Sequence, residues 1–258
     1  MSEDPGLVQV WLDRGGGLAH DTLAVEAPLE IQIDERPIAV LMRTPGEDLD
    51  LVAGFLVSEG IVEDPRDLKG LAHCERPADH DRVVRVTLAE GVPSPVGRAW
   101  MSSAACGLCG TARLEDLARR LPPRTPGPAL EAAQVHAFVA ALGQAQPRFQ
   151  ATGGLHGAAL FAPDGTCVVA REDIGRHNAV DKVIGHCLRA HRWPLTGHHL
   201  AVSSRAGYEL VQKALLAGIT TLIAVGAASS LAHDIARTHG LALYSFARPG
   251  RFNRHPTD

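Results

Sequence analysis

Two cysteines stand three residues apart in Ser102-Ser103-Ala104-Ala105-Cys106-Gly107-Leu108-Cys109-Gly110-Thr111. The small residues around them predict an exposed loop, and Thr111 can cap a helix that follows. A thiol just ahead of a helix feels the positive end of its dipole, which favours the thiolate. A thiolate can be a nucleophile, a redox partner or a metal ligand. The first residues, Met1-Ser2-Glu3-Asp4-Pro5, have neither the basic nor the apolar region of a signal peptide, so none is expected. In that setting Cys-x-x-Cys suggests reactive or metal-binding thiols before structural disulfides, and the total of five cysteines is odd.

His73-Cys74-Glu75 precedes this pair. His-x-Glu followed by Cys-x-x-Cys is the layout of a zinc deaminase, with His73, Cys106 and Cys109 on the metal and Glu75 moving protons. That layout normally has Pro before its first Cys, where this chain has Ala105. A chain with 13 histidines also produces His-x-Glu by chance. The densest polar run is Arg171-Glu172-Asp173-Ile174-Gly175-Arg176-His177-Asn178-Ala179-Val180-Asp181-Lys182. A charge run usually marks a solvated face. A mixed run with Gly, His and Asn straight after an apolar strand is also how a site looks. Thr152-Gly153-Gly154-Leu155-His156 offers two glycines that can bring the chain close to a ligand.

The elements that must position these groups are clearest in the last third. Leu200–Ser203, Thr220–Val225 and Leu241–Phe246 read as short buried strands. Helices over Tyr208–Ala217 and Ser230–His239 separate them. In a parallel β-α-β-α-β unit, ligands bind outside the carboxyl ends of the strands. Those ends carry Ser203-Ser204-Arg205-Ala206-Gly207, Gly226-Ala227-Ala228-Ser229-Ser230 and Ala247-Arg248-Pro249-Gly250-Arg251. One such segment is an ordinary turn. Three at one edge, with three arginines, point to a phosphate-bearing ligand. There is no Walker motif and no dinucleotide fingerprint. The uncharged stretch Ala214–Leu231 is broken by Gly218 and Gly226, so it reads as helix, strand and helix rather than a membrane span.

Further upstream, Leu7–Trp11, Glu30–Ile33, Ile38–Leu41 and Val83–Leu88 read as strands. Thr44-Pro45-Gly46-Glu47 predicts a capping box on a helix through Leu49, Val52 and Leu56, ending at Gly60. Leu114, Leu117 and Leu121 mark another helix after the cysteines. The segment 122–128 has four prolines in seven residues and reads as a linker, dividing the chain into domains 1–125 and 126–258. Beyond it, Leu130–Leu142 reads as a helix, and Ala158–Phe161 and Cys167–Ala170 as a hairpin around Pro163-Asp164-Gly165. Cys167 and Cys187 lie in apolar contexts and are expected in the core; with Cys74 they are expected to be dispensable. With 258 residues, 45% hydrophobic and 21% charged, the chain is an ordinary globular protein. Its net charge of −4 argues against coating nucleic acid or an anionic membrane, and aromatics at 4% argue against rows of base-stacking platforms.

The sequence closely resembles the formate dehydrogenase accessory sulfurtransferase family (FdhD). The matching runs are Arg43–Asp50, Gly54–Gly60, Cys106–Gly110, Thr152–His156, Arg171–Lys182, Ser203–Glu209, Gly226–Leu231 and Arg251–Asn253. Arg254-His255 departs from the small apolar residue and aromatic expected there. The resemblance implies an α/β fold: a C-terminal cytidine-deaminase-like three-layer domain, without the deaminase zinc, beside a smaller mixed α+β N-terminal domain. It implies a cytoplasmic homodimer that takes persulfide sulfur from a cysteine desulfurase. The sulfur passes to a molybdenum (or tungsten) bis-guanylyl-pterin cofactor, Mo-bis(molybdopterin guanine dinucleotide), bound as substrate before it enters formate dehydrogenase. Cys106 would carry the persulfide, with Cys109 as a resolving or tuning thiol. Phe246, Ala247, Arg248, Pro249, Gly250 and Arg251 would bind the cofactor. The strand-edge reading adds Ser203, Arg205, Gly226 and Ser229. No zinc, nucleic acid or membrane partner is expected. A zinc deaminase, and a cofactor chaperone whose cysteines only dock a partner, are the other two classes.

Overall fold

A computed structural model describes residues 4–13, 15–94, 100–102, 121 and 129–256. Cys106, Cys109, the helix expected over Leu114 and Leu117, and the proline segment 122–128 lie outside them. The apolar runs near the N-terminus become strands. β1 (Leu7–Asp13) and β2 (Leu18–Ala24) form a separate hairpin. β3 (Ala27–Ile33), β4 (Arg36–Arg43), β5 (Leu68–His73), β6 (Val83–Leu88) and β7 (Trp100–Ser102) form a mixed five-stranded sheet ordered β5-β6-β3-β4-β7. Leu29, Ile31 and Ile33 alternate on β3, so all three are buried on one face.

That face packs on helix α1 (Asp48–Ser58). The expected capping box does not form. Glu47 takes the cap position with a left-handed φ of 55° and no side-chain cap. Thr44 is instead buried against the C-terminal half: its N–H donates to Asp173 Oδ2 at 3.1 Å, and its Oγ1 accepts from Ile174 N–H at 3.2 Å. A buried carboxylate partner has displaced a local cap.

The remaining elements are α2 (Ala132–Gln144), α3 (Pro147–Thr152), β8 (His156–Phe161), β9 (Cys167–Asp173), α4 (Arg176–Arg189), β10 (His199–Val202), α5 (Tyr208–Leu216), β11 (Thr221–Ala224), α6 (Ser230–Thr238), β12 (Ala242–Arg248) and β13 (Arg251–His255). They build a six-stranded sheet ordered β13-β12-β11-β10-β8-β9. As the sequence predicted, β10, β11 and β12 are parallel. Val135, Phe138 and Leu142 of α2 cover one face, against Ala159, Phe161, Ala201, Ile223 and Tyr244. The opposite face, with Leu160, Leu200, Val202, Leu222 and Leu243, meets α4, α5 and α6. Helices on both sides give the three-layer α/β arrangement.

The two sheets share one hydrophobic core through α1 and α4. These helices cross with backbones nearly touching. A Cβ on Gly54 would lie 1.9 Å from the carbonyl oxygen of Asp181, and one on Gly185 would lie 1.8 Å from that of Asp50. Only glycine fits at either position. The seam is also where half of the Arg171–Lys182 run goes. It is not a solvated face: Asp173 and Lys182 are both 0% exposed and pair at 2.9 Å. Lys182 also donates to the carbonyls of Thr44 and Glu172. Asp181 accepts from Ser58 Oγ and from Lys213. Asp50 receives Arg171 and Arg189. Cys187 is in the core as expected, whereas Cys167 is exposed, because it opens β9 at the edge of the sheet.

Candidate functional site

Parallel strands end side by side, and the segments after them are stitched together. Gly226 N–H donates to Ser204 O at 3.0 Å, and Ala206 N–H to Ala227 O at 2.9 Å. Phe246 N–H donates to Gly226 O at 2.9 Å. A Cβ on Gly226 would lie 2.9 Å from Arg205 N, so glycine permits this close approach. Because β8 runs antiparallel to β10, its first residue, His156, reaches the same edge. Ser203 Oγ accepts from Gly157 N–H there at 2.9 Å. β9 also ends there, and the chain turns into α4 at Arg176-His177. The glycine run before His156 and the Arg176-His177 step of the charge run thus reach the edge that the strand ends form.

Arg176, Arg205, Gly207, Tyr208, Glu209 and Ser229 line a cavity of about 350 Å³ at this edge. Three helices begin around it, with Gly175, Gly207 and Ser229 at their caps. Their first-turn N–H groups and positive dipole ends favour an anion. Neither Arg176 nor Arg205 forms an ion pair within the described residues, while Glu209 is the carboxylate at the rim. Burial pushes His177 down to about 3, aided by Lys213, Arg176 and His156. Its Nε2 is buried and has no hydrogen-bond partner among the described residues. Burial, then Arg176, lowers His156 as well, against the opposing pull of Asp173. The arginines therefore supply the positive charge.

The structure brings together Ser203, Arg205, Gly226, Ser229 and Phe246. Ala247 is buried in the α2-side core. Arg248 and Arg251 face each other across the Pro249-Gly250 turn of the β12–β13 hairpin, exposed and outside the cavity lining. Arg176, Tyr208, Glu209 and Leu231 line the cavity outside the three strand-end segments; the signal for Arg176 was the polar run around the end of β9. His73 Nδ1 lies 2.9 Å from His80 O, and His73 closes β5 in the N-terminal sheet with Glu75 exposed beyond it. Among the described residues no group of three or more His, Cys, Asp or Glu is placed to hold a metal ion.

The model of the FdhD/NarQ family matches residues 24–255. The sulfur carrier protein FdhD of Anaeromyxobacter dehalogenans (strain 2CP-C) is 46% identical over 254 residues, covering 93% of this chain and 88% of that one. The sulfur carrier protein FdhD of Mycolicibacterium paratuberculosis is 45% identical over 252 residues, covering 94% and 93%. A crystal structure assigned as a formate dehydrogenase accessory protein from Desulfotalea psychrophila has the same fold, with a TM-score of 0.76 at 23% identity over 96% of this chain and 95% of that one. With residues 24–255 matched by the family model and 93% of its length covered by a relative 46% identical, the chain belongs to the FdhD/NarQ family.

Proposed function

We propose that this chain is a sulfur carrier that moves persulfide sulfur from a cysteine desulfurase to a molybdenum or tungsten bis-guanylyl-pterin cofactor destined for formate dehydrogenase. The names of its relatives support the carrier role. The observation that carries the cofactor reading is the strand edge. Three helix N-termini and two arginines that form no ion pair within the described residues meet around one cavity, which suits the diphosphate of a guanine dinucleotide. The exposed Arg248–Arg251 turn, which follows Phe246 and its bond to Gly226 O, carries two further guanidinium groups.

In the first step the Cys106 thiolate attacks the outer sulfur of the donor persulfide. A new S–S bond forms on Cys106, the donor S–S bond breaks, and the donor cysteine leaves as thiolate. Cys106 then holds the outer sulfur for the metal centre of the bound substrate, and Cys109 either tunes this persulfide or resolves it: the Cys109 thiolate attacks Cys106 Sγ, a Cys106–Cys109 disulfide forms, the bond to the outer sulfur breaks, and that sulfur leaves as sulfide for the metal. No helix of the described residues is long and apolar enough to cross a membrane. We place the reaction in the cytoplasm, in a homodimer.

Persulfide labelling after incubation with a cysteine desulfurase and cysteine tests the reading. Wild type is expected to load sulfur and Cys106→Ala to load none while keeping its fold. Equal loading of both would refute the carrier role of Cys106.

A further inference from the structure

Beside the cofactor edge, the last strand pair holds a second polar arrangement. Ser245 Oγ lies 2.8 Å from Nε2 of His255, and Nδ1 of His255 lies 3.1 Å from Nδ1 of His233. The three residues come from β12, β13 and α6. Burial, and then His233, hold His255 below the ordinary histidine range, so it is neutral at pH 7. A neutral imidazole has one N–H and one lone pair. One bond is therefore donated and the other accepted, and the chain from Ser245 to His233 is continuous in either direction. A serine beside histidines is also the make-up of a hydrolytic nucleophile. Ser245 is only 1% exposed, so its Oγ is closed to substrate, and a holding role remains.

What is held lies one residue on. In a regular strand, Ala247 would point to the face opposite Tyr244. Instead Ala247 joins Tyr244 in the α2-side core, and the pairing register shifts between Ser245 and Arg248. Phe246 is the extra residue of a bulge. It has a left-handed φ of 50°, is 41% exposed, and gives its N–H to Gly226 O rather than to β13. A bulky residue in that conformation costs energy and persists where its surroundings over-determine it. The core fixes the Ala247 side of the bulge. On the other side, the side chain of Ser245 is fixed by His255 and, through it, by α6.

We propose that the Ser245–His255–His233 chain is a clasp that fixes the bulge at Phe246 and so orients the Phe246–Arg251 segment, making these three residues positioning residues for ligand capture at the strand edge. The clasp stands on its own geometry; only its consequence for ligand capture rests on the cofactor reading.

Hydrogen–deuterium exchange on the full chain, read on peptides covering 244–251, tests the clasp without any ligand. Ser245→Ala and His255→Leu are expected to speed exchange there about tenfold, the scale of a lost buried hydrogen bond. His255→Gln, whose amide can replace the Nε2 contact, is expected to recover most of the protection. A space-filling role predicts the reverse order, with Leu harmless and Gln not, and that order overturns the clasp. Unchanged exchange in both Ser245→Ala and His255→Leu overturns it too, as does a rise that is equal at the α1–α4 crossing, which signals global unfolding. His233→Leu, at the far end of the chain, is the milder variant, expected to speed exchange several-fold in the same peptides. Calorimetric titration with guanosine diphosphate is run in parallel. Faster exchange with unchanged affinity, in these variants and in Arg251→Ala, upholds the clasp and refutes the cofactor reading of the segment.

Discussion

The α1–α4 seam and the strand edge are both rich in charge, and they use it in opposite ways. At the seam Asp173 meets Lys182, Asp181 meets Lys213, and Asp50 meets Arg171 and Arg189; all three carboxylates are nearly or fully buried. Arg43 adds a bidentate pair to Asp48. At the edge Arg176, Arg205, Arg248 and Arg251 form no ion pair within the described residues. Burying an ion costs several kcal/mol, so it is tolerated only where its partner is built in. The seam charges are therefore internal joints between the two sheets. The edge cations keep their solvent, and with it the freedom to exchange water for an external anion.

The largest effect expected from this contrast is at the seam. Lys182→Ala leaves Asp173 buried without its cation, and should cost about 3–5 kcal/mol of unfolding free energy by urea titration. Arg205→Ala should do the reverse. It should leave the urea midpoint almost unmoved, yet weaken guanosine diphosphate binding roughly ten- to a hundred-fold by calorimetry, as expected for a lost charge-assisted contact. A shared loss of stability and affinity in both variants would erase the distinction between the regions.

The smallest effect is one of pH, with opposite signs in the two regions. His177 at the edge titrates at about 3 when folded. Its contribution to stability is complete above the unfolded value near 6.5 and is lost as pH falls through the folded one. Glu59, beside Lys213 and Asp181, is pushed up to about 7, mainly by burial. Its contribution is complete below its ordinary value near 4.5 and is lost as pH rises through about 7. Between pH 6.5 and 5.5, His177→Gln should therefore gain stability relative to wild type, and Glu59→Gln should lose it relative to wild type. Each change approaches about 1.4 kcal/mol per pH unit at most. Urea titrations of the three proteins across that window give both slopes.

Residue order along the chain already determined the elements around the site. Apolar runs such as Leu200–Val202 and Leu222–Ala224, separated by amphipathic stretches and punctuated by Gly and Ser, can settle only as β-α-β-α-β. That topology sends Ser203–Gly207 and Gly226–Ser230 to one edge. Tertiary structure alone decided the rest. Thr44 passes over a local helix cap for Asp173, a partner 129 residues away. The Arg171–Lys182 run divides between a buried joint and an open cleft, because α4 turns Asp181 and Lys182 towards α1 while Arg176 stays at its N-terminus. The bulge at Phe246 depends on His255 and on the core around Ala247. Secondary structure follows from propensity and period, which act over a few residues. Whether a charge is matched, and whether a strand keeps its alternation, depends on partners that meet only when distant segments pack.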